Sequence, residues 1–437
     1  MKYNTITLEN GLRVIHLPSA SPVVYCGYEI AAGSRDEEAG EEGLAHFCEH
    51  TTFKGTERRK AWHILNCLES VGGDLNAFTN KEETVYHAAI LKEHLPRAVD
   101  LLTDIVFHSV YPQSEMGKEI AVICDEIESY NDSPAELIYD EFENILFEGH
   151  PLGHNILGTA PQLRTYTSAD ALRFSRRHYR PDNAIFFAYG DVDFGKLVKL
   201  LNGARGGETA SQKNGNGERK AANGSPQRDS KISTALHSPE GSHCFTRSVA
   251  RNKFPAPRIE KEMHTHQSHV MLGCRAYDVQ DKRRMPLYLL NNILGGPGMN
   301  ARLNLALRER NALVYSVDSA MNCYSDTGVW STYFGCDPHD VEHCLHLVRK
   351  ELDRVMQKPL SATQLRAAQK QIKGQIGVAC DSREQFALDF GKSFLHYGWE
   401  KDVTSLYNDI DNVTPAELQQ VAQELFSEDN LTTLIYK

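Results

Sequence analysis

The chain has 437 residues, 41% of them apolar, which is more than one ordinary core absorbs and fits two domains of about 200 residues each. A formal net charge of −11 leaves no electrostatic footprint for nucleic acid or an anionic membrane surface. The ten cysteines show no C-x-x-C spacing, and the opening M-K-Y-N-T-I-T-L-E-N-G carries no apolar signal region. Together with the lack of any apolar run long enough to span a bilayer, this predicts a soluble, cytoplasmic protein with free or buried thiols.

Taken in order, T-I-T-L and L-R-V-I-H-L flank Asn10-Gly11, the signal for a hairpin, and V-V-Y-C-G-Y-E-I-A-A-G reads as the next strand. A short helix follows with H-F-C-E-H at residues 46–50. His46 and His50 stand one turn apart on one helical face and can bind one ion, and Glu49 lies beside them. Cys48 is two positions from His46 and points to the opposite side, so it reads as core. Helical patterns then occupy about 59–71, 91–108, 113–131 and 134–146, with strands near 74–80 and 83–91. Residues 112–148 hold eleven Asp or Glu against the single cation Lys118. The ordinary reading of such a run is a solvated helix face; the sharper one is an acidic cleft that favours basic peptides.

After the strand A-I-F-F-A-Y-G-D-V, residues 203–258 are rich in Gly, Ser, Asn, Lys and Arg and read as a flexible linker. The second half opens with M-H-T-H-Q-S-H-V-M-L-G-C-R-A-Y, read as a strand whose His264, His266 and His269 are edge or solvent residues rather than a second metal site. Gly295, Gly296 and Gly298 lack the Lys-Ser or Lys-Thr of a phosphate loop, and there is no G-x-S-x-G elbow for serine chemistry. The order strand, helix, glycine-rich turn, then V-Y-S-V echoes the first half and points to internal duplication.

H-x-x-E-H is the inverse of the commoner H-E-x-x-H order and is the inverzincin signature. G-L-A-H-F-C-E-H-T-T-F-K-G-T, then G-G-D-L-N-A-F-T-N-K-E-E-T-V-Y at 72–86 and E-I-A-V-I-C-D-E-I at 119–127 resemble the pitrilysin and insulinase family of zinc peptidases, which includes the mitochondrial processing peptidases. The resemblance extends through 150–159 and 178–192 and into L-G-G-P-G-M-N-A-R-L-N-L-A-L-R-E-R-N-A-L-V-Y-S-V at 294–317. It implies one Zn²⁺ per chain, held by His46, His50 and Glu126, with Glu119 as a supporting acid. Seven residues are nearly two helical turns, so Glu119 and Glu126 share a face.

By the same resemblance Arg308 and Tyr315 hold the substrate, Tyr315 stabilises the oxyanion, and the strand around Asn76 and Ala77 pairs with an extended peptide. Family members show a glycine where this chain has Ala312 or Val314. The implied fold is α+β: two homologous domains, each a mixed, mostly antiparallel sheet with helices on one face, at 1–202 and 259–437. The implied activity is that of a zinc-dependent endopeptidase acting on peptides or unfolded segments in a closed chamber, with Glu49 as general base. A homodimer in which each chain completes the other's chamber is the implied assembly. Two other readings are a non-catalytic partner subunit, marked by loss of Glu49 or a ligand, and a processing peptidase for basic presequences.

Overall fold

Gly11 takes φ 90° and turns the chain between β1 (Asn4–Thr7) and β2 (Arg13–Pro18), which pair antiparallel as the Asn-Gly signal predicts. The computed structural model describes residues 1–203 and 257–437, so all but the ends of the expected 203–258 linker lie outside the described residues. In the first half β3 (Val23–Ile30), α1 (Leu44–Thr52), α2 (Ala61–Glu69), β4 (Asp74–Thr79) and β5 (Thr84–Leu91) follow in order. They lead into α3 (Leu95–His108), α4 (Gln113–Asn131), α5 (Pro134–Leu146), α6 (Ala160–Leu163), α7 (Ser168–His178), β6 (Ala184–Gly190) and α8 (Phe194–Gly203). The six strands form one sheet in the order β1-β2-β6-β3-β5-β4, antiparallel except for the β2–β6 pair.

The second half repeats the plan. Strands β7 (Arg258–Lys261), β8 (Ser268–Ala276), β9 (Val314–Cys323), β10 (Gly328–Cys336) and β11 (Thr432–Tyr436) form a sheet in the order β7-β11-β8-β10-β9. Only β7 and β11 run parallel. Helices α9 (Arg284–Gly295), α10 (Val341–Gln357), α11 (Ala362–Ala379), α12 (Arg383–Tyr397), α13 (Val403–Asn412) and α14 (Pro415–Leu425) complete it. Among the described residues no helix is long and apolar enough to cross a membrane.

Period-two alternation gives every strand two faces, and both faces of each sheet are apolar. Val14, Val24, Tyr28, Tyr86 and Phe186 meet their own half's helices, while Ile15, Leu17, Val85, Ile185 and Phe187 point the other way. That second face is covered by Phe386, Ala387, Phe390 and Leu395 of α12, a helix of the other half. The exchange is reciprocal. Ile138, Phe142 and Leu146 of α5 cover Met271, Val329, Leu434 and Tyr436 on the outer face of the second sheet. Helices on one face therefore describes each half's own contribution, and the other half supplies the second layer. A buried phenylalanine contributes about 1.5–3 kcal/mol, so the four aromatic and aliphatic anchors of α12 bind it firmly.

Polar groups fix the register of this exchange. Gly391 in α12 lets the helix approach so closely that a Cβ there would stand 2.3 Å from Oε1 of Glu29. Beside it the buried Glu83 carboxylate accepts hydrogen bonds from Lys392 Nζ at 2.7 Å, His396 Nε2 at 3.0 Å and Asn80 Nδ2 at 2.7 Å. Burial raises the Glu83 carboxyl, but the His396 hydrogen bond and the Lys392 charge outweigh it and hold the group down at about 2. A depressed carboxyl stabilises the fold fully above its ordinary value of 4.5, and that stabilisation is lost as pH falls toward 2. Glu83→Gln is expected to cost about 2–3 kcal/mol at neutral pH. In urea unfolding across a pH series, wild type and variant should converge on the acid side; a gap that persists there would refute this role.

Candidate metal centre

Helix α1 is short, and its start is imposed by its surroundings. Gly43 adopts φ 88°, and the Glu37 carboxylate accepts hydrogen bonds from the backbone N–H groups of Gly43 at 3.0 Å and Ala45 at 2.8 Å. An anion at the exposed amides of a helix N-terminus satisfies donors that have no partner within the helix. Leu44, Ala45, Phe47 and Cys48 then face the core, each with no exposed surface, and Thr51 and Thr52 return their hydroxyls to the carbonyls of Phe47 and Cys48. What remains is a stripe of His46, Glu49 and His50 facing α4.

The two histidine rings lie 4.6 Å apart, and α4 crosses in front of them with Glu119 and Glu126. Glu126 Oε2 is 3.8 Å from His46 Nε2 and 3.6 Å from His50 Nε2. One donor atom from each of His46, His50 and Glu126 falls within a 4.8 Å group. Ligand atoms about 2.0–2.1 Å from a tetrahedral zinc stand roughly 3.4 Å from one another, so this spacing fits a cation and is too long for hydrogen bonding. Burial, followed by the neighbouring His50, lowers the His46 imidazole to about 3, so it is neutral, the form that binds metal. Its Nδ1 is buried without a hydrogen-bond partner. On this evidence the donor set fits Zn²⁺.

Glu119 turns to the other nitrogen of His50: Oε2 lies 3.5 Å from Nδ1, and Oε1 forms an ion pair with Lys54 Nζ at 2.7 Å. Glu49 is 8% exposed and receives a hydrogen bond from Thr79 Oγ1 at 2.7 Å. Burial raises the Glu49 carboxyl to about 7, the Thr79 bond opposes that rise, and the Glu126 charge adds to it. Glu49 therefore sits in the range of a group that can accept and release a proton near neutrality. Thr79 and Lys54 were not singled out from the sequence. Strand parity offers part of a signal for Thr79, since Leu75, Ala77 and Thr79 share the face of β4 turned to the helices.

β4 is the edge strand of its sheet and pairs only with β5 among the described residues, so its outer main-chain groups are free. Ala77 is half-buried, and Asn76 Nδ2 donates locally to Asp74 Oδ2 at 3.1 Å. Arg308 and Tyr315 are brought together, with the guanidinium 5.9 Å from the ring centroid. Tyr315 is 84% exposed, and its strand β9 packs on β10, α9 and the turn that carries Arg308, none of which holds a member of the histidine pair. That turn, Asn304–Glu309, is π-helical, and Ala312 just after it takes φ 54°. Of the two positions where glycine is expected, Ala312 is the one held in the left-handed region, at a cost of about 1–2 kcal/mol, while Val314 starts β9.

His264 and His266 precede β8 rather than forming part of it, because His264 turns the chain with φ 53°. His269 lies on β8 and shares a 2.8 Å hydrogen bond with the Tyr333 hydroxyl. A second group of possible ligands, Asp337, His339 and Asp340, is an exposed surface cluster.

Comparison with known proteins identifies the family. Residues 13–160 match the family described as "Insulinase (Peptidase family M16)", and residues 165–372 match the one described as "Peptidase M16 inactive domain". An uncharacterized zinc protease of Streptomyces coelicolor is 32% identical over 422 residues, covering 96% of this chain and 86% of that protein. The uncharacterized zinc protease YmxG of Bacillus subtilis is 29% identical over 431 residues, covering 98% and 97%. In fold the chain is similar to a protease from Helicobacter pylori, with a TM-score of 0.84 at 23% identity over 100% of this chain and 99% of that one. With family matches that follow one another along the chain and relatives this similar over nearly its full length, the protein belongs to peptidase family M16, the insulinase family.

Proposed function

We propose that the protein is a zinc-dependent endopeptidase that cleaves peptides or unfolded segments, with Glu49 as general base. The observation that carries this reading is the convergence of His46, His50 and Glu126 beside a buried carboxylate, next to a free strand edge. When bound, zinc would polarise the scissile carbonyl and lower the pKa of a bound water. The chain's own residues do the rest. A peptide adding to the outer edge of β4 lies along the strand whose last residue, Thr79, touches Glu49. With Oε2 held by Thr79, Glu49 has Oε1 left to take the proton and pass it to the leaving amine. Burial keeps His46 neutral, and Glu119 stands at Nδ1 of His50 and orients its ring.

Tyr315 is 84% exposed with Arg308 over its ring, which leaves the pair open to close over the site of a second copy in a homodimer. Tyr315 then supplies a hydroxyl to the oxyanion and Arg308 a donor to a substrate carbonyl. The processing-peptidase reading gains one observation: a cavity of about 430 Å³ beyond the end of β4, lined by Asp140, Glu143 and Tyr324 beside Lys81. More acidic than basic groups face it from α5, so a basic side chain fits there. The non-catalytic reading is disfavoured because His46, Glu49, His50 and Glu126 are all retained.

Quenched peptides of varied sequence, with zinc counted by elemental analysis, test the assignment. Wild type should cut and hold about one zinc per chain, Glu49→Gln should hold zinc without cutting, and His46→Ala should lose both. Zinc retained by a silent wild type would return the protein to the non-catalytic class. Thr79→Val is expected to lower kcat by about 10–100-fold with KM little changed and zinc retained, and Thr79→Ser to recover most of the loss. Finally, Glu49→Gln and Tyr315→Phe, each inactive alone, should regain part of the activity when mixed and allowed to exchange subunits. No recovery would place both groups in one chain's site.

A further inference from the structure

Lys54 lies just past the C-terminus of α1, where a cation is favoured by the helix dipole, yet its ammonium turns inward to α4. There it meets Oε1 of Glu119 at 2.7 Å, while Oε2 of the same carboxylate stands 3.5 Å from His50 Nδ1. The Glu119 side chain is 9% exposed and that of Lys54 26%, so the pair is shielded from water on the carboxylate's side. Two glutamates of one helix thus flank one imidazole: Glu119 at Nδ1, Glu126 at Nε2.

We infer that Lys54 is a positioning residue that decides which of these two glutamates serves as ligand. The inference rests on the metal reading of the site and extends it. Glu119 and Glu126 both approach His50 from one helix, and a buried carboxylate without a cation is costly, so the one that is not a ligand needs a positive partner of its own. Lys54 is that partner, its ammonium 2.7 Å from Glu119 Oε1. Engaged there, Glu119 is held off the metal and keeps its second oxygen for the Nδ1–H of His50, which fixes the ring with Nε2 toward Glu126. Without Lys54, Glu119 is a buried carboxylate with no cation, free to compete with Glu126 or to release His50.

The test is zinc affinity, measured by competition with a chromophoric chelator at neutral pH, with the fold of each metal-free variant checked by circular dichroism. Lys54→Met is expected to weaken zinc binding about 10–100-fold and Lys54→Arg, which keeps the pair, by no more than about threefold. Because Lys54 acts through Glu119, adding Lys54→Met to Glu119→Gln should cause no further loss. Lys54→Gln serves the same cycle should the methionine variant not fold. Full affinity in the Lys54 variant, or a loss that persists in the Glu119→Gln background, overturns the inference. A wild type that binds no zinc at all would instead overturn the metal reading beneath it.

Discussion

Each sheet in this protein has two apolar faces and only one set of helices of its own, and the exchange of α5 and α12 between the halves resolves that constraint. The consequence reaches the candidate metal centre directly. Helix α5 begins three residues after α4 ends, and it is pinned to the second sheet by Ile138, Phe142 and Leu146. The helix that presents Glu119 and Glu126 to the histidines is therefore anchored at its far end by the other half of the molecule. On the opposite side α12 clamps the outer face of the first sheet and binds Glu83, four residues beyond Thr79. Both Glu126 and the strand that holds Glu49 are thus fixed by parts of the chain outside the candidate metal centre.

Electrostatics at the site follow from burial more than from any single pair. His46 is pushed to its neutral form by desolvation, and Glu49 is raised toward neutrality by the same cause. Low exposure strengthens every remaining interaction, so the Thr79 hydroxyl and the Lys54 ammonium count for more here than on a surface. They also divide the work. Thr79 restrains Glu49 from the strand side, and Lys54 pairs with Glu119 from the helix side, leaving Glu126 open toward both histidines.

Local signals were legible wherever chemistry and periodicity lie close together in sequence. The helices expected at 113–131 and 134–146 match α4 and α5, because Pro112 and Pro134 mark their starts and amphipathic spacing runs to their ends. The helix expected from 91 begins at Leu95 instead, since β5 runs through Leu91 and Pro96 sets the first turn. His264 and His266 read as part of a strand because composition does not reveal a positive φ. The spacing of Phe386, Phe390 and Leu395 says that α12 needs an apolar partner; it does not say that the partner is the first sheet. The partners of Thr79 and Lys54 are hidden for the same reason: parity gives the face of Thr79, but the contacts to Glu49 and Glu119 are tertiary and no local pattern encodes them.

Two of the edge strands, β4 and β9, bear on how the halves cooperate. β4 ends the first sheet and β9 ends the second, and the turns after them are tied together by Arg35, whose guanidinium bonds both Glu82 and, at 2.8 Å, Asp326. Ser325 adds its backbone N–H, 3.1 Å from Glu82 Oε1, and its hydroxyl, 2.7 Å from the same atom. A carboxylate with this many donors is a rigid joint, and its neighbours Lys81 and Glu83 are buried with it. The end of β4 that meets Glu49 is thus fixed relative to the end of β9, while Tyr315 at the other end of β9 is free. β10 holds β9 along its length, so the exposed Tyr315 can meet a second molecule without disturbing the joint. This is the arrangement required if Arg308 and Tyr315 serve a neighbouring copy while β4 serves its own metal group.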